Sequence, residues 1–448
     1  GWPNPGQRAT AFSWLGECQT PSLTHTGSPD NVMALFFDAL ENQDPAAREA
    51  RLMGELASQV AHAQRASAAF ADILASVDAP SITSRTALAS LPVTRKTQLL
   101  DRQKAQRAQD PMGGFATQSY GAQMPQIFAS PGPIYEPEGR AADYWRTARA
   151  VFAAGFRAGD LIHNCFSYHF TPAGSMMSCA ARAIGCTVFP GGTGQTEQQV
   201  QAMAELRPAG YIGTPSFLRI ILEKADEMGI ALPSVKKALV SGEALPPSLR
   251  DWFGARGVDT YQCYATADVG LIAYETPARE GLVLDEGVIV EIVRPGTGDP
   301  VEPGDVGELV ITTLNPDYPM IRFGTGDLSA ELPGHCPTGR TNTRIKGWMG
   351  RADQTTKVRG MFIHAAQVGD VMRKFPALSG KARLVVTGEM ANDALALHVE
   401  ADGLSPDTLA ALVAAVRDVT KLRADVTVVP PGGLPNDGKV IEDARSYA

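Results

Sequence analysis

Between Asp160 and Gly270 the sequence alternates short apolar runs with longer runs of helical periodicity, and this feature constrains the fold most strongly. The apolar runs are LIHNCF, TVFPGG, AGYIGT, KKALVSGE and YQCYATAD, and runs such as QTEQQVQAMAELRP and PSFLRIILEKADEMG separate them. Regular alternation of this kind is typical of a parallel, doubly wound sheet with helices on its faces. The fold class is therefore predicted to be α/β.

The run PSFLRIILEKADEMG shows sequence features of a helix both at its start and along one face. Thr214 has the side chain of an N-cap, and Pro215 suits the first turn of a helix. The predicted buried face consists of four apolar residues at helical spacing, Leu218, Ile221, Leu222 and Ala225.

The pattern changes in the second half of the chain. From Gly287 onward, GVIVEIV and GELVITTL are separated by turn-rich sequence and predict a β-rich subdomain. From Arg351 onward, shorter helices and strands predict a small α+β domain. Because 448 residues exceed the size at which single hydrophobic cores stop growing, we expect two domains. We place them at residues 1–350 and 351–448.

Charge and cysteine usage exclude several classes of protein. The net charge is -8 and no basic cluster stands out, so nucleic-acid binding is not expected. No apolar run approaches the ~18 residues of a membrane-spanning helix, and the first residues lack the pattern of a signal peptide. The six cysteines contain no CxxC pair, which indicates free thiols in a reducing compartment. We expect a cytoplasmic protein.

Small and acidic residues follow several of the predicted strands. SGE and YATAD end two of them and bring the carboxylates Glu243 and Asp268 to the same edge of the sheet. In open α/β sheets ligands bind outside the carboxyl ends of the strands. The sequence therefore predicts a ligand site at this edge.

Two further short motifs suit a nucleotide. Asp327 ends RFGTGD, and a carboxylate there can accept hydrogen bonds from both hydroxyls of a ribose. Lys439 ends PNDGK, a Pro/Gly loop that can present a positive charge to a phosphate. Each motif taken singly could equally be a hairpin turn.

In their order along the chain these motifs resemble the adenylate-forming superfamily, specifically its phenylacetate-CoA ligase-like branch. The strongest block runs from CYATADVGLIAYE through GELVITTLNPDYPMIRFGTGDL to GRADQTTKVRGMFI. The resemblance implies ATP-dependent activation of an aryl or related carboxylic acid to an acyl-adenylate, followed by thioester formation with coenzyme A (CoA). It implies ATP or AMP, Mg²⁺ and CoA as cofactors, a mobile C-terminal domain hinged near Asp353, and it admits a homodimer.

The resemblance also implies roles for particular residues. Lys439 and Asp268 would be catalytic, with Lys439 bridging carboxylate and α-phosphate and Asp268 holding Mg²⁺. Residues implied to bind the nucleotide or CoA are Ser130, Ser241, Gly242, Glu243, Tyr264, Ala265, Asp327, Arg351, Lys357 and Gly360. Residues implied to line the acyl pocket are Cys165, Tyr168, Phe170 and Met176.

The family's phosphate-binding loop is replaced here by FASPGPIYEPEG, residues 128–139. Ser130 survives, but the prolines remove backbone N–H donors. Glu136 and Glu138 would repel a triphosphate by up to ~4 kcal/mol per pair unless they turn to solvent. We expect a weakened grip on ATP. The alternatives are an adenylating enzyme of secondary metabolism with a non-CoA acceptor, and a relative that binds acyl-adenylate or acyl-CoA without using ATP.

The branch often carries a zinc site just before the GR that follows the ribose aspartate. Here that stretch reads CPTGR, with Thr338 in place of a second cysteine, and Thr276 stands where another ligand is expected. A structural zinc ion needs four ligands such as cysteine or histidine. No zinc is therefore expected.

Overall fold

The computed structural model describes residues 35–352, 354–358, 361–378, 380–388 and 394–445. Two residues with predicted roles, Asp353 at the hinge and Gly360 beside CoA, lie outside these ranges, and so does the side chain of Lys357. No helix of the described ranges has the length and apolar character to cross a membrane.

The first part of the described chain is mainly helical. The helix α1 begins with Pro45, directly after Asp44, whose side chain accepts a hydrogen bond from the N–H of Ala47 and so caps the helix. The elements here are α1 (Pro45–Ala66), α2 (Ala68–Ile73), α3 (Arg85–Ala89), β1 (Thr94–Arg95), α4 (Lys96–Gln106), β2 (Gln126–Ser130) and β3 (Ile134–Glu138).

Strands and helices then alternate as the sequence predicts. The helix after Thr214 confirms its predicted details, because the Thr214 side chain accepts the N–H of Phe217 and all four predicted apolar residues are buried. The elements here are α5 (Ala148–Ala153), β4 (Leu161–Asn164), α6 (Ala173–Ala183), β5 (Thr187–Pro190), α7 (Thr196–Leu206), β6 (Gly210–Gly213), α8 (Pro215–Glu227), β7 (Lys237–Val240), α9 (Pro247–Ala255) and β8 (Asp259–Thr266).

The remaining strands of the large domain extend this sheet and build a second one. They are β9 (Gly270–Glu275), β10 (Leu282–Leu284), β11 (Val288–Val293), β12 (Gly307–Thr313), β13 (Phe323–Ser329), β14 (Glu331–Leu332) and β15 (Arg344–Ile345). The main sheet has the order β14-β15-β10-β9-β8-β7-β6-β4-β5. The predicted parallel arrangement is confirmed from β5 to β8, whereas β9, β10, β15 and β14 continue it antiparallel.

The second sheet has the order β1-β13-β12-β11, and β1 pairs parallel with β13. Thr94 lies opposite Phe323 and Arg95 opposite Gly324, so the residue that follows β1 is held beside β13. Arg322 precedes β13 with a fully buried side chain, which pairs with Glu291 at 2.9 Å and donates to backbone carbonyls of the segment before β1. This arginine ties the N-terminal segment to the sheet.

The C-terminal part has its own sheet and core. Its elements are β16 (Thr355–Val358), β17 (Met361–His364), α10 (Ala365–Arg373), β18 (Ala382–Thr387), β19 (Ala394–Glu400), α11 (Pro406–Thr420), β20 (Asp425–Val429) and β21 (Ile441–Asp443). The four-stranded sheet has the order β20-β19-β18-β21. Its core is built by apolar side chains of α10, α11 and the strands, among them Val368, Leu384, Leu397, Leu412 and Val416.

Candidate active site

The residues predicted after the parallel strands meet at the carboxyl edge of the sheet. Ser241 follows β7, and its hydroxyl donates to the carbonyl of Cys263 in β8 at 2.8 Å. Gly242 adopts a φ of 80°, which a residue with a Cβ rarely takes. The Glu243 carboxylate accepts the hydroxyl of Ser216 at 2.9 Å and its N–H at 3.3 Å, so it caps the N-terminus of α8. This capping explains the acid after β7 without a ligand.

Asp327 on β13 is surrounded by hydrogen-bond donors, and we call this group the ribose-end cluster. The Tyr264 hydroxyl donates to its Oδ2 at 2.7 Å. The guanidinium of Arg351 and the indole N–H of Trp348 donate to Oδ1 at 2.9 and 3.0 Å. The structure therefore brings together Tyr264, Asp327 and Arg351, which lie far apart in sequence. Trp348 was not among the residues predicted from the sequence.

Burial and the Asp327 carboxylate raise the pKa of Tyr264 well above its ordinary value, so the hydroxyl stays protonated and donates. A carboxylate offers about four lone-pair sites, and three donors already use Asp327. The ribose-end cluster is therefore an anion held by donors, and a diol could replace one or two of them.

The predicted metal ligand Asp268 lies in a second group, which we call the phosphate-end cluster together with Lys96 and Glu136. Lys96 opens α4, and its ammonium lies 3.0 Å from Oδ2 of Asp268. Oδ1 of Asp268 is buried and has no partner among the described residues. The described residues contain no group of three or more His, Cys, Asp or Glu side chains able to hold a metal ion.

Sequence reasoning missed Lys96, which lies 172 residues before its partner. The only local signal is a lysine directly after an arginine, in PVTRKTQ. The pairing of β1 with β13 places this lysine at the site, and no sequence pattern predicts that pairing.

The degenerate phosphate loop forms the β2–β3 hairpin, and both of its glutamates are buried. Glu136 is 0% exposed; its Oε2 accepts the N–H of Ser130 at 3.2 Å, and its Oε1 contacts the hydroxyl of the same serine. Burial, followed by the charge of Asp268, raises the pKa of Glu136 to about 8. Neither glutamate turns to solvent, in contrast to the alternative considered from the sequence.

The second glutamate of the hairpin has a different environment. Oε2 of Glu138 accepts the indole N–H of Trp145 at 2.8 Å and the hydroxyl of Ser175 at 2.7 Å. Trp145 belongs to a small apolar cluster with Phe128, Tyr144 and Met176, against which Ala265 packs. The predicted pocket residue Met176 and the predicted nucleotide residue Ala265 therefore share one cluster.

The other residues predicted for the acyl pocket have varied environments. Cys165 is buried, which raises the pKa of its thiol, and it lies 3.8 Å from the Gln199 amide oxygen. The Tyr168 hydroxyl lies 2.6 Å from that of Ser178. Phe170 is 81% exposed with a φ of 60°, so its place in the pocket stays a prediction.

Lys439 lies away from both clusters in its described contacts. Its side chain is exposed, and its backbone N–H donates to Asp437 at 3.0 Å. It lines a cavity of about 640 Å³ together with residues that include Arg294 and Met372. No hydrogen bond or ion pair described for Asp268 or Asp327 involves Lys439. The catalytic role of Lys439 therefore stays a prediction.

The stretch considered for zinc holds a small hydrogen-bonded group. The Cys336 sulfur lies 3.2 Å from the hydroxyl of Thr276 and 3.1 Å from that of Thr338. Both threonines occupy the positions that the sequence comparison assigned to missing ligands.

The fold and the two clusters together define an enzyme of the AMP-binding class. The family described as "AMP-binding enzyme" matches residues 141–315. A solved structure of 2-hydroxyisobutyryl-CoA ligase in an open conformation, in complex with 2-HIB-AMP and CoA, superimposes with a TM-score of 0.68 at 24% identity. The match covers 92% of this chain and 94% of that one, and it shows that the fold is shared.

Curated relatives narrow the class to one family. The phenylacetate-coenzyme A ligase of Aromatoleum evansii is 32% identical over 328 residues, which are 70% of this chain and 72% of that enzyme. The phenylacetate-coenzyme A ligase of Thermus thermophilus is 27% identical over 385 residues, 78% of this chain and 84% of the enzyme. The chain belongs to the phenylacetate-CoA ligase family of adenylate-forming enzymes.

Proposed function

We propose that this protein uses ATP to activate an aryl or related carboxylic acid as an acyl-adenylate and then transfers the acyl group to CoA. The ribose-end cluster carries the proposal, because Tyr264 of the main sheet and Asp327 of the second sheet meet with Arg351 in a chain of this family. The activity of its relatives as phenylacetate-CoA ligases supports the reaction type.

In the first half-reaction an oxygen of the substrate carboxylate attacks the α-phosphorus of ATP, and the bond to pyrophosphate breaks. Asp327 holds the ribose hydroxyls and Arg351 contacts the ribose or the phosphate. Lys96 supplies a positive charge beside Asp268, and Lys439 supplies a second one at the α-phosphate. The residues therefore act by positioning and by electrostatic stabilisation.

The residues present fit a magnesium ion at Asp268. One of its oxygens is already paired with Lys96, and the other is buried without a partner among the described residues. Mg²⁺ in nucleotide sites commonly takes one or two carboxylate oxygens together with phosphates and water. A bound ion would supply charge neutralisation on the phosphate oxygens.

In the second half-reaction the CoA sulfur attacks the acyl carbonyl carbon, and AMP leaves with the electrons of the broken bond. We propose that residues 351–448 rotate near Asp353 between the half-reactions. The exposed side chain of Lys439, which has no described ion pair with Asp268, is compatible with this step. The segment KVRGMFI, with Lys357 and Gly360, would then face CoA.

The remaining parts of the proposal concern substrate, metal content and location. The apolar cluster around Met176 and Trp145 favours an aryl acid over a charged one. The Cys336 sulfur contacts two threonine hydroxyls at hydrogen-bond distance, and this environment supports the proposal that the protein binds no zinc. The described cysteines are free and buried, which fits a reducing cytoplasm. A homodimer is retained by analogy with the family.

The test is ATP–pyrophosphate exchange with a panel of aryl acids, followed by measurement of CoA thioesters. We expect exchange that depends on the acid and a thioester that appears only with CoA. Exchange without a thioester would move the proposal to a non-CoA acceptor. A protein that binds neither AMP nor an acyl-adenylate analogue would contradict the proposed function altogether.

A further inference from the structure

The donors of the β2–β3 hairpin are already in use inside the protein. The N–H and the hydroxyl of Ser130 both contact the carboxyl group of Glu136. The N–H of Ala129 donates to the carbonyl of Phe170, and that of Tyr135 to the side chain of Gln103. Pro131 and Pro133 in the turn have no N–H. A phosphate approaching this hairpin therefore meets few free backbone donors.

Glu136 is held in this position from several sides. It is 0% exposed on β3, and Ser130, whose N–H and hydroxyl it contacts, is 4% exposed. Its electrostatic neighbours are Asp268 and Lys96, so the carboxyl group lies within the phosphate-end cluster and not on the outer face of the hairpin. A phosphate could use the Ser130 donors only after Glu136 had left a buried position.

We infer that Glu136 is an internal occupant of the phosphate-binding donors, so that the site holds a nucleotide by its nucleoside monophosphate part and gains no affinity from the β- and γ-phosphates of a nucleoside triphosphate. This inference rests on the proposed function and specifies which part of the nucleotide the same site binds. The ribose-end cluster would bind AMP and ATP equally, and the hairpin would add affinity for neither the β- nor the γ-phosphate.

The protonation of Glu136 fits this arrangement. Because burial and Asp268 raise its pKa to about 8, the carboxyl group is largely neutral at pH 7. A neutral carboxyl group can stay beside Asp268 without a counter-ion of its own. It therefore blocks the Ser130 donors by occupying them, and charge repulsion is not required.

The test compares dissociation constants for AMP and for ATP by isothermal titration calorimetry. We expect wild-type protein to bind ATP no more tightly than AMP, with dissociation constants that agree within about threefold. Glu136→Ser frees the Ser130 donors and is expected to tighten ATP binding at least tenfold, with AMP affinity unchanged within about twofold. Glu138→Ser is the matched control, since it removes a buried glutamate of the same strand that faces Trp145 instead; its ATP affinity should equal that of wild type.

A second variant separates occupancy from charge and remains informative if Glu136→Ser does not fold. Glu136→Gln keeps the shape and an oxygen that accepts the Ser130 N–H, so its ATP affinity should stay within twofold of wild type. A tenfold gain in Glu136→Gln would overturn the inference in favour of simple repulsion. Wild-type protein that binds AMP while Glu136→Ser binds ATP no better would also overturn it, whereas absence of AMP binding would instead contradict the proposed function.

Discussion

The two ends of the proposed nucleotide site both contain a buried carboxyl group, yet their surroundings are opposite. Asp327 accepts hydrogen bonds from Tyr264, Trp348 and Arg351, one of them a cation. Glu136 contacts one serine and lies near a second carboxylate, Asp268. The first environment stabilises an anion that can bind a diol, and the second stabilises a neutral acid. Donors and nearby charges, and not residue type, set what each carboxyl group can do.

The largest effect on activity is expected from removal of Lys439, whose positive charge we propose to act at the α-phosphate. Lys439→Ala should lower ATP–pyrophosphate exchange by about 10²–10³-fold, because a charge at the reacting phosphate is lost. Thioester formation from supplied acyl-adenylate should change by less than about threefold, since the proposed rotation near Asp353 withdraws Lys439 from the phosphate before that step. The control is Lys374→Ala, an exposed lysine after α10. Equal loss of both half-reactions would contradict the role of Lys439.

A large effect is also expected at the ribose end. Asp327→Asn should weaken AMP binding about 100-fold, because an amide oxygen is a poorer acceptor for two ribose hydroxyls than a carboxylate. Calorimetric titration with AMP measures this change. Asp251→Asn, which alters an exposed acid on α9, should leave AMP affinity unchanged. If Asp327→Asn binds AMP as wild type does, the ribose-end cluster has another purpose.

The protonation of Glu136 predicts a stability difference that depends on pH. Its carboxyl group ionises near pH 4.5 in the unfolded chain but only near pH 8 in the folded one. Between these values the folded state holds one proton more, so the free energy of unfolding of wild type falls as pH rises. Glu136→Gln lacks this proton, and its free energy of unfolding should rise relative to wild type by about 3–4 kcal/mol from pH 5 to pH 8.

Chemical denaturation of both proteins across this pH range measures the difference. Glu138→Gln serves as the matched variant and should run parallel to wild type. A constant difference between Glu136→Gln and wild type would show that Glu136 is ionised in the folded protein at pH 7, which would remove the contrast between the two carboxyl groups.

The smallest effect is expected from Trp348. Its indole N–H competes with a ribose hydroxyl for Oδ1 of Asp327, so Trp348→Phe should tighten AMP binding by about two- to fivefold. AMP should also change the fluorescence of wild-type protein, because the indole loses its partner, and this change should vanish in Trp348→Phe. Trp252→Phe is the control, since Trp252 packs against Arg256 and has no described contact with Asp327. Weaker AMP binding in Trp348→Phe would indicate that the indole contacts the nucleotide directly.

The parts of the fold and of the candidate site that depend on local sequence patterns could be predicted from the sequence. Strand and helix periodicity predicted the parallel half of the sheet, and the cap at Thr214 and the buried face of α8 are as expected. The acids Asp268 and Asp327 were recognised because each ends a motif. The antiparallel half was not predicted, since short strands such as β10 and β15 carry too little pattern.

The parts that sequence reasoning missed depend on contacts between distant segments. Lys96 reaches Asp268 only because β1 pairs with β13. Glu136 was treated as facing a phosphate or solvent, because an acid among prolines reads as exposed, whereas the fold covers the hairpin.

The pairing of β1 with β13 has a consequence for the distance between the two clusters. Lys96 is the residue after β1, and Asp327 lies four positions beyond Phe323 on the strand to which β1 is bonded. One backbone ladder thus works as a ruler that fixes the spacing between a cation and the acid that we propose to bind the ribose. Inserting a single residue into either strand would miscalibrate that ruler, however well every side chain were preserved.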